Sequence, residues 1–141
     1  MQLQCLIEGT AFTLYAIMQG ENVVDYLEQL EHDNEQAHDQ IAKRMEQLAE
    51  RGPSRKKDEF NILASGLFEA KARTGPRVIF FYDDNHIVIC SHAFDKQGQK
   101  TPKKDIATAQ ERRRQYGEHK RSGKDFEILL EDGQKEPKRQ P

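Results

Sequence analysis

Tryptophan is absent from this 141-residue chain, and its aromatic anchors are seven Phe and four Tyr. Cysteine is almost as scarce. Cys5 and Cys90 are too few for a disulfide framework and do not form a CxxC pair. Long apolar runs are also missing. None exceeds the five residues of Val78 to Tyr82, whereas a membrane helix needs about 20. The chain shows no basic, apolar, small-residue leader, so no secretion signal is read. These absences point to a reduced, cytoplasmic protein with no membrane partner. Apolar residues make up 35% of the chain and charged residues 33%. That is one domain's worth of sequence with a thin core, and some segments are expected outside it.

The net charge of −2 hides an asymmetry. Met1 to Glu50 holds ten acids and two bases, net −8, while Arg51 to Pro141 holds twenty bases and fourteen acids, net +6. Within Lys96 to Arg121 there are nine bases against three acids. A basic lobe joined to an acidic one can bind a polyanion while the whole chain stays near neutral. The alternative is a solvated helix face.

Ala11 to Met18 reads as a strand that opens the domain. Val23, Val24, Leu27 and Leu30 then recur at helical spacing over Asn22 to Leu30. Asp33-Asn34 breaks that helix and can cap the next, over Glu35 to Glu50, whose apolar stripe is Ala37, Ile41, Met45 and Leu48. Gly52-Pro53 ends it, and Arg55-Lys56-Lys57 is a basic loop. Three strands are expected next, over Leu67 to Arg73, Arg77 to Tyr82 and His86 to Phe94, with a turn at Asp83-Asp84-Asn85 between the last two. Thr101-Pro102 reads as a helix start, with Thr as N-cap. Ile106, Ala109, Arg113 and Tyr116 share one face of that helix, and Gly117 stands at its expected C-cap. The remainder is polar except for Phe126 to Leu130, which either pairs as an extra strand or stays loose. The order predicts an α+β fold: a small antiparallel sheet, an N-terminal helical hairpin, a C-terminal helix and a polar tail.

The stretch from Leu67 to Tyr116 resembles the core of RelE/HigB-type toxins of bacterial toxin–antitoxin modules, most of all the phage-derived HigB-like branch. The cues are Glu69 followed by Lys71, Arg77 opening the next strand, His92-Ala93-Phe94 closing the third, a Lys-rich turn into Thr101-Pro102, and a helix with the pattern Ala, Arg, Tyr. VVDYLEQL and the helix after it also fit. Ala93 stands where the family often has Gly, and Gln97 where a second Lys is usual. The resemblance covers Phe12 to Gly117, so residues 1–117 are read as a toxin domain with a RelE-like fold and 118–141 as its tail. It implies a ribosome-dependent mRNA endonuclease that inhibits translation. The implied partners are a cognate antitoxin, of helix-turn-helix type, the ribosome and mRNA. A neighbouring branch, ParE-like, instead poisons DNA gyrase without enzymatic chemistry, so fold leaves the two readings open.

Metal-independent RNA cleavage needs a base for the 2′-OH, a cation for the phosphorane and an acid for the leaving oxygen. No carboxylate pair, Gly-rich phosphate loop or partnered Ser or Cys nucleophile is evident. Basic side chains remain. Lys71 and Arg73 share strand parity, and antiparallel pairing brings Arg77 beside them. Arg77 suits the transition-state charge because its planar fork matches phosphate. Lys71 or Lys96 can act as base if neighbouring cations lower its pKa, and His92 is a candidate proton donor. Lys100, Lys103, Lys104, Arg112 and Arg113, with Arg114 beside them, are candidate RNA contacts, although Arg113 can instead pair inward with an acid. His86, Cys90 and His92 share parity too, but a fourth metal ligand is not apparent and Cys90 reads as a small core residue. Neither metal nor cofactor is expected.

Overall fold

The computed structural model describes residues 1–84 and 86–129 in full and 135–138 as backbone. Asn85 of the expected turn and Leu130 of the expected apolar knot lie outside the described residues. The chain runs β1 (Gln2–Glu8), β2 (Thr13–Ile17), α1 (Val23–Asp33), α2 (Glu35–Arg51), β3 (Phe60–Ile62), β4 (Phe68–Lys71), β5 (Pro76–Asp83), β6 (Ile87–Asp95), α3 (Lys103–Arg121), β7 (Phe126–Leu129) and β8 (Lys135–Lys138).

The α+β arrangement holds, but the sheet is neither small nor wholly antiparallel. Among the described residues it has eight strands in the order β3-β4-β5-β6-β2-β1-β7-β8. β2 pairs with β6, and β1 with β7, in parallel. The strand expected to open the domain is β2, and β1 precedes it as its antiparallel partner. QLQCLIE carries few β-branched residues and its pairing shifts between Cys5 and Ile7, so its strand signal is weak.

Alternation along β5 explains the layers. Val78 and Phe80 join Ile41, Met45 and Leu48 of α2 in one core, whereas Ile79 and Phe81 join Ala109 and Tyr116 of α3 in the other. Successive strand side chains point to opposite faces. The helical hairpin α1–α2 therefore covers one face of the sheet and α3 the other. Asn22 caps α1 by accepting from the Asp25 amide at 2.8 Å, and Asn34 caps α2 by accepting from the Ala37 amide at 3.1 Å. Asn34 also ends α1, its own amide reaching the Leu30 carbonyl, so one residue makes the hairpin corner. Gly52, at φ +81°, ends α2 in the left-handed region that favours glycine.

Three local expectations fail. Gly117 is not a C-cap: α3 continues to Arg121, and the Ser122 amide closes it by reaching back to the Glu118 carbonyl. Thr101 does not cap α3, because Pro102 takes the N-cap position and the Thr101 hydroxyl is used elsewhere. β4 stops at Lys71, two residues before Arg73, because a turn closes there: the Ala72 amide donates to the Pro76 carbonyl and the Gly75 amide to the Ala72 carbonyl. Phe126 and Ile128 of β7 are buried against Tyr116 and Leu3. No helix among the described residues is long and apolar enough to cross a membrane.

Candidate active site

β4 and β5 pair so that Lys71 lies opposite Arg77 and Glu69 opposite Ile79. Ile79 faces α3, so the odd-numbered residues of both strands emerge on that side of the sheet. Beyond β6 the chain loops through residues 96–102 and returns as the first turn of α3. The strands and this loop enclose a cavity of about 380 Å³ whose wall includes Glu69, Lys71, Arg77, Lys96, Lys100 and Lys103. Five cations thus surround one carboxylate.

Glu69 and Arg77 form the floor. Glu69 is 3% exposed and accepts the Thr101 hydroxyl at 2.6 Å on Oε2. That bond ties the loop before α3 to β4 and explains why Thr101 does not cap the helix. Arg77 is 8% exposed, and its Nη1 donates to the carbonyls of Ala72 (2.8 Å) and Pro76 (3.0 Å). Its Nε and Nη2 make no hydrogen bond among the described residues. Burial lowers the Arg77 guanidinium from its ordinary value, and the Glu69 carboxylate partly restores it. The fork is therefore fixed on one edge and open on the other, the state a phosphate-binding arginine needs.

Two layers of support hold these groups. Lys71 Nζ donates to the Lys57 carbonyl at 3.1 Å, while its own carbonyl accepts from Arg44 Nε of α2 at 2.9 Å. Arg44 also pairs with Glu59 at 3.3 Å, and Glu59 accepts from Ser54 and Gln47. The hydroxyl of Ser54 and the side-chain amide of Gln47 hold the Glu59 carboxyl below its ordinary value. On the other side of Arg77, the Tyr26 hydroxyl of α1 donates to Asp95, the last residue of β6.

The structure does not bring every expected residue here. Arg73 lies past the end of β4, beside Gln40 and Lys43 of α2, and does not join Lys71 and Arg77. His92 is 1% exposed and, unlike Glu69, does not line the cavity, so it is not placed to hand a proton to a substrate there. Its Nε2 meets Asp105 Oδ1 at 3.0 Å and its Nδ1 meets the Ser91 hydroxyl at 2.9 Å. The carboxylate only accepts, so Nε2 carries the proton and Nδ1 accepts from Ser91. Burial pushes the imidazole below its ordinary value, although Asp105 opposes this. His92 thus fastens β6 to the first turn of α3.

A bulge at Ser91 separates His92 from Cys90. The pairing with β5 shifts there, so Cys90 faces the α1–α2 core while His92 faces α3. Shared parity in the sequence therefore does not mean a shared face, and among the described residues no cluster could hold a metal ion. Burial pushes the Cys90 thiol up to about 12, which leaves it an inert core group.

The helix cations also sort differently. Arg112, expected at an RNA surface, is buried. Its guanidinium donates to the carbonyls of Ser91 (2.5 Å), Gln19 (2.5 Å) and Glu21 (2.6 Å), the first of them freed by the bulge. Arg113, rather than pairing inward with an acid, is exposed and donates to the Ser65 carbonyl. Arg114 is held between Glu111 and Glu118. Lys100 and Lys103 line the cavity, while Lys104 is exposed outside it.

Sequence reasoning assigned no role to Glu69. Its signal was odd parity with Lys71 and Arg77 in a stretch whose turn implied antiparallel pairing. Placed here, Glu69 can accept a proton, Arg77 can stabilise an oxyanion on phosphorus, and the rim lysines can bind neighbouring phosphates or return a proton.

The family model of phage-derived Gp49-like proteins (DUF891) matches residues 25–114, which span α1 through most of α3. Among solved structures, the YoeB dimer from Staphylococcus aureus is similar at a TM-score of 0.44 and 13% identity, over 57% of this chain and 92% of that one. No curated protein sequence matches the chain.

Proposed function

We propose, from the premise that this chain belongs to the phage-derived Gp49-like family, that it is the toxin of a toxin–antitoxin module and cleaves mRNA on the ribosome. The observation that carries this reading is the cavity in which one buried carboxylate, Glu69, sits among Arg77 and four lysines. The resemblance of Leu67 to Tyr116 to RelE/HigB-type toxins supports it and supplies the ribosome as the place of cleavage and an antitoxin as the neutralising partner.

The chemistry follows from the wall residues. The 2′-hydroxyl of the RNA loses its proton to Glu69 and attacks the adjacent phosphorus. Charge builds on the non-bridging oxygens, where the free edge of Arg77 donates. The P–O5′ bond breaks, and a lysine of the rim, Lys96 foremost, protonates the departing oxygen. The products are a 2′,3′-cyclic phosphate and a 5′-hydroxyl end, and no metal enters any of these steps. Lys71 serves as a further cation, and Lys100 and Lys103 hold flanking phosphates.

Induced expression without antitoxin, followed by mapping of RNA 5′ ends, tests the reading. Growth arrest with new 5′-hydroxyl ends inside translated reading frames is the expected result. Growth arrest with intact mRNA would replace cleavage by non-enzymatic inhibition, such as poisoning of gyrase. Normal growth with soluble, folded protein would remove the toxin assignment.

A further inference from the structure

β4 pairs with β5 from Phe68 to Lys71, so among the described residues the far end of β5, Phe81 to Asp83, has no strand partner on that edge. α3 passes over this gap. Between them lies a second cavity, of about 560 Å³, lined by Arg113, Arg114 and Arg121 above a floor that includes Phe81 and Tyr116. Among the described residues no carboxylate lines it. The nearest one on β5, Asp83, is occupied by the Tyr116 hydroxyl and by Lys120.

The glycines here are informative. Gly117 stands inside α3, where glycine costs roughly 1 kcal/mol relative to alanine. A Cβ at Gly117 would meet the Arg121 guanidinium at 3.2 Å, and one at Gly66 would meet the Arg113 guanidinium at 3.0 Å. Each guanidinium lies against a bare backbone, and both border the same cavity. Arg114 is neutralised by Glu111 and Glu118. Arg113 spends one nitrogen on the Ser65 carbonyl, and Arg121 makes no hydrogen bond among the described residues. The arrangement places two guanidinium forks, one of them tied to the Ser65 carbonyl, beside an apolar floor, at a point of α3 about 15 Å or more from Lys103 by helix rise.

We infer that the cavity between the end of β5 and the second half of α3 is a second binding site for a nucleic-acid phosphate, read by Arg113 and Arg121. It holds the strand at a distance from the basic cavity around Arg77. The inference rests on the proposed action on RNA for its ligand class, but not on cleavage. Planar forks match phosphate better than a point charge does, and the missing side chain at Gly117 leaves the Arg121 guanidinium room to lie against α3.

Binding of a labelled 16-nucleotide single-stranded RNA, followed by anisotropy at several salt concentrations, tests this. Arg113→Gln combined with Arg121→Gln should weaken binding about tenfold or more and lower the salt slope by roughly 1.4, or about 0.7 per phosphate released. Gly117→Ala should weaken binding while leaving the melting temperature equal or higher, because alanine favours the helix and displaces only Arg121. Unchanged affinity and slope in the double variant, with an unchanged melting temperature, would overturn the inference. So would loss of binding to a polyglutamate peptide with RNA binding intact, which would assign the cavity to an acidic protein segment. Failure of the wild-type chain to cleave RNA, with the slope change present, would remove the endonuclease reading and leave this site standing.

Discussion

Arg77→Ala separates chemistry from support most sharply, because Arg77 has one edge in each. Nη1 closes the 72–76 turn through two carbonyls. Losing a charged donor to buried carbonyls costs about 2–3 kcal/mol. For a chain of this size that is roughly 6–15 °C in melting temperature. Arg77 also lines the cavity, and on the proposed reading its free edge donates there; removing one donor to a developing oxyanion typically lowers the rate about 10²–10³-fold. Arg77→Lys keeps the charge and can reach one carbonyl, but it cannot present two parallel donors. It should recover most of the stability and only part of the rate. Single-turnover cleavage of ribosome-bound mRNA at saturating ribosome reads the second effect and a thermal melt reads the first. A rate that falls only as far as the folded fraction falls would show that Arg77 is a turn residue and nothing more. Near-wild-type cleavage by the alanine variant at a temperature where it is folded would refute the assignment outright.

Glu69→Gln keeps the Thr101 contact and should leave stability nearly unchanged while abolishing cleavage; a variant active at wild-type rate would pass the base role to Lys71 or Lys96. Replacing Lys100, Lys103 and Lys104 together by Ala should lower the salt slope of ribosome binding by about 0.7 for each phosphate no longer gripped, with the saturating rate little changed; sedimentation at several ionic strengths with single-turnover cleavage checks both. Arg112→Ala strands three carbonyls and should destabilise the fold by more than about 3 kcal/mol, so a melting temperature within a few degrees of wild type would contradict its structural role. His92 is held below its ordinary value of 6.5, so the unfolded chain takes up this proton first as pH falls. Its contribution is complete above that value and is lost below it, by up to about 1.4 kcal/mol per pH unit; denaturant titrations from pH 7 to 5 should show a shallower acid loss in His92→Gln than in wild type.

The helices were legible because their stripes and caps are local. Ala37, Ile41, Met45 and Leu48 needed only the 3.6-residue period, and Asn22 and Asn34 only their place before it. The Lys71–Arg77 pairing was legible for a similar reason, since a short turn sets an antiparallel register. What escaped depends on the third dimension. β1 finds its stability between β2 and β7, and β7 is separated from it by more than a hundred residues. The bulge at Ser91 flips the faces of β6, and its carbonyl is held by Arg112 from a helix, 21 residues away in sequence. No parity count can see that shift, so the imidazole expected at the cavity went to the underside of α3 instead.

Charge counting has the same limit, and the structure shows how it is resolved. The nine bases from Lys96 to Arg121 look like one patch in sequence. Arg112 is consumed by three carbonyls, Arg114 by Glu111 and Glu118, and Lys120 by Asp83 and Asp84. Those partners include two of the three acids in the stretch, so the pairing removes bases and acids together. Of the six cations that remain, Lys104 is exposed outside both cavities, and the other five fall into two groups: Lys96, Lys100 and Lys103 around the cavity at the start of α3, and Arg113 and Arg121 beside the cavity towards its end. Lysine, a hydrated point charge on a flexible stem, occupies the end where, on the proposed reading, a strand enters and leaves. Arginine, with a fixed fork, occupies the end where a strand would only be held. A uniform solvated face would show no such division. Swapping the types, with Lys at 113 and 121, should therefore weaken RNA binding at constant net charge, whereas a face that merely solubilises the protein would not register the change.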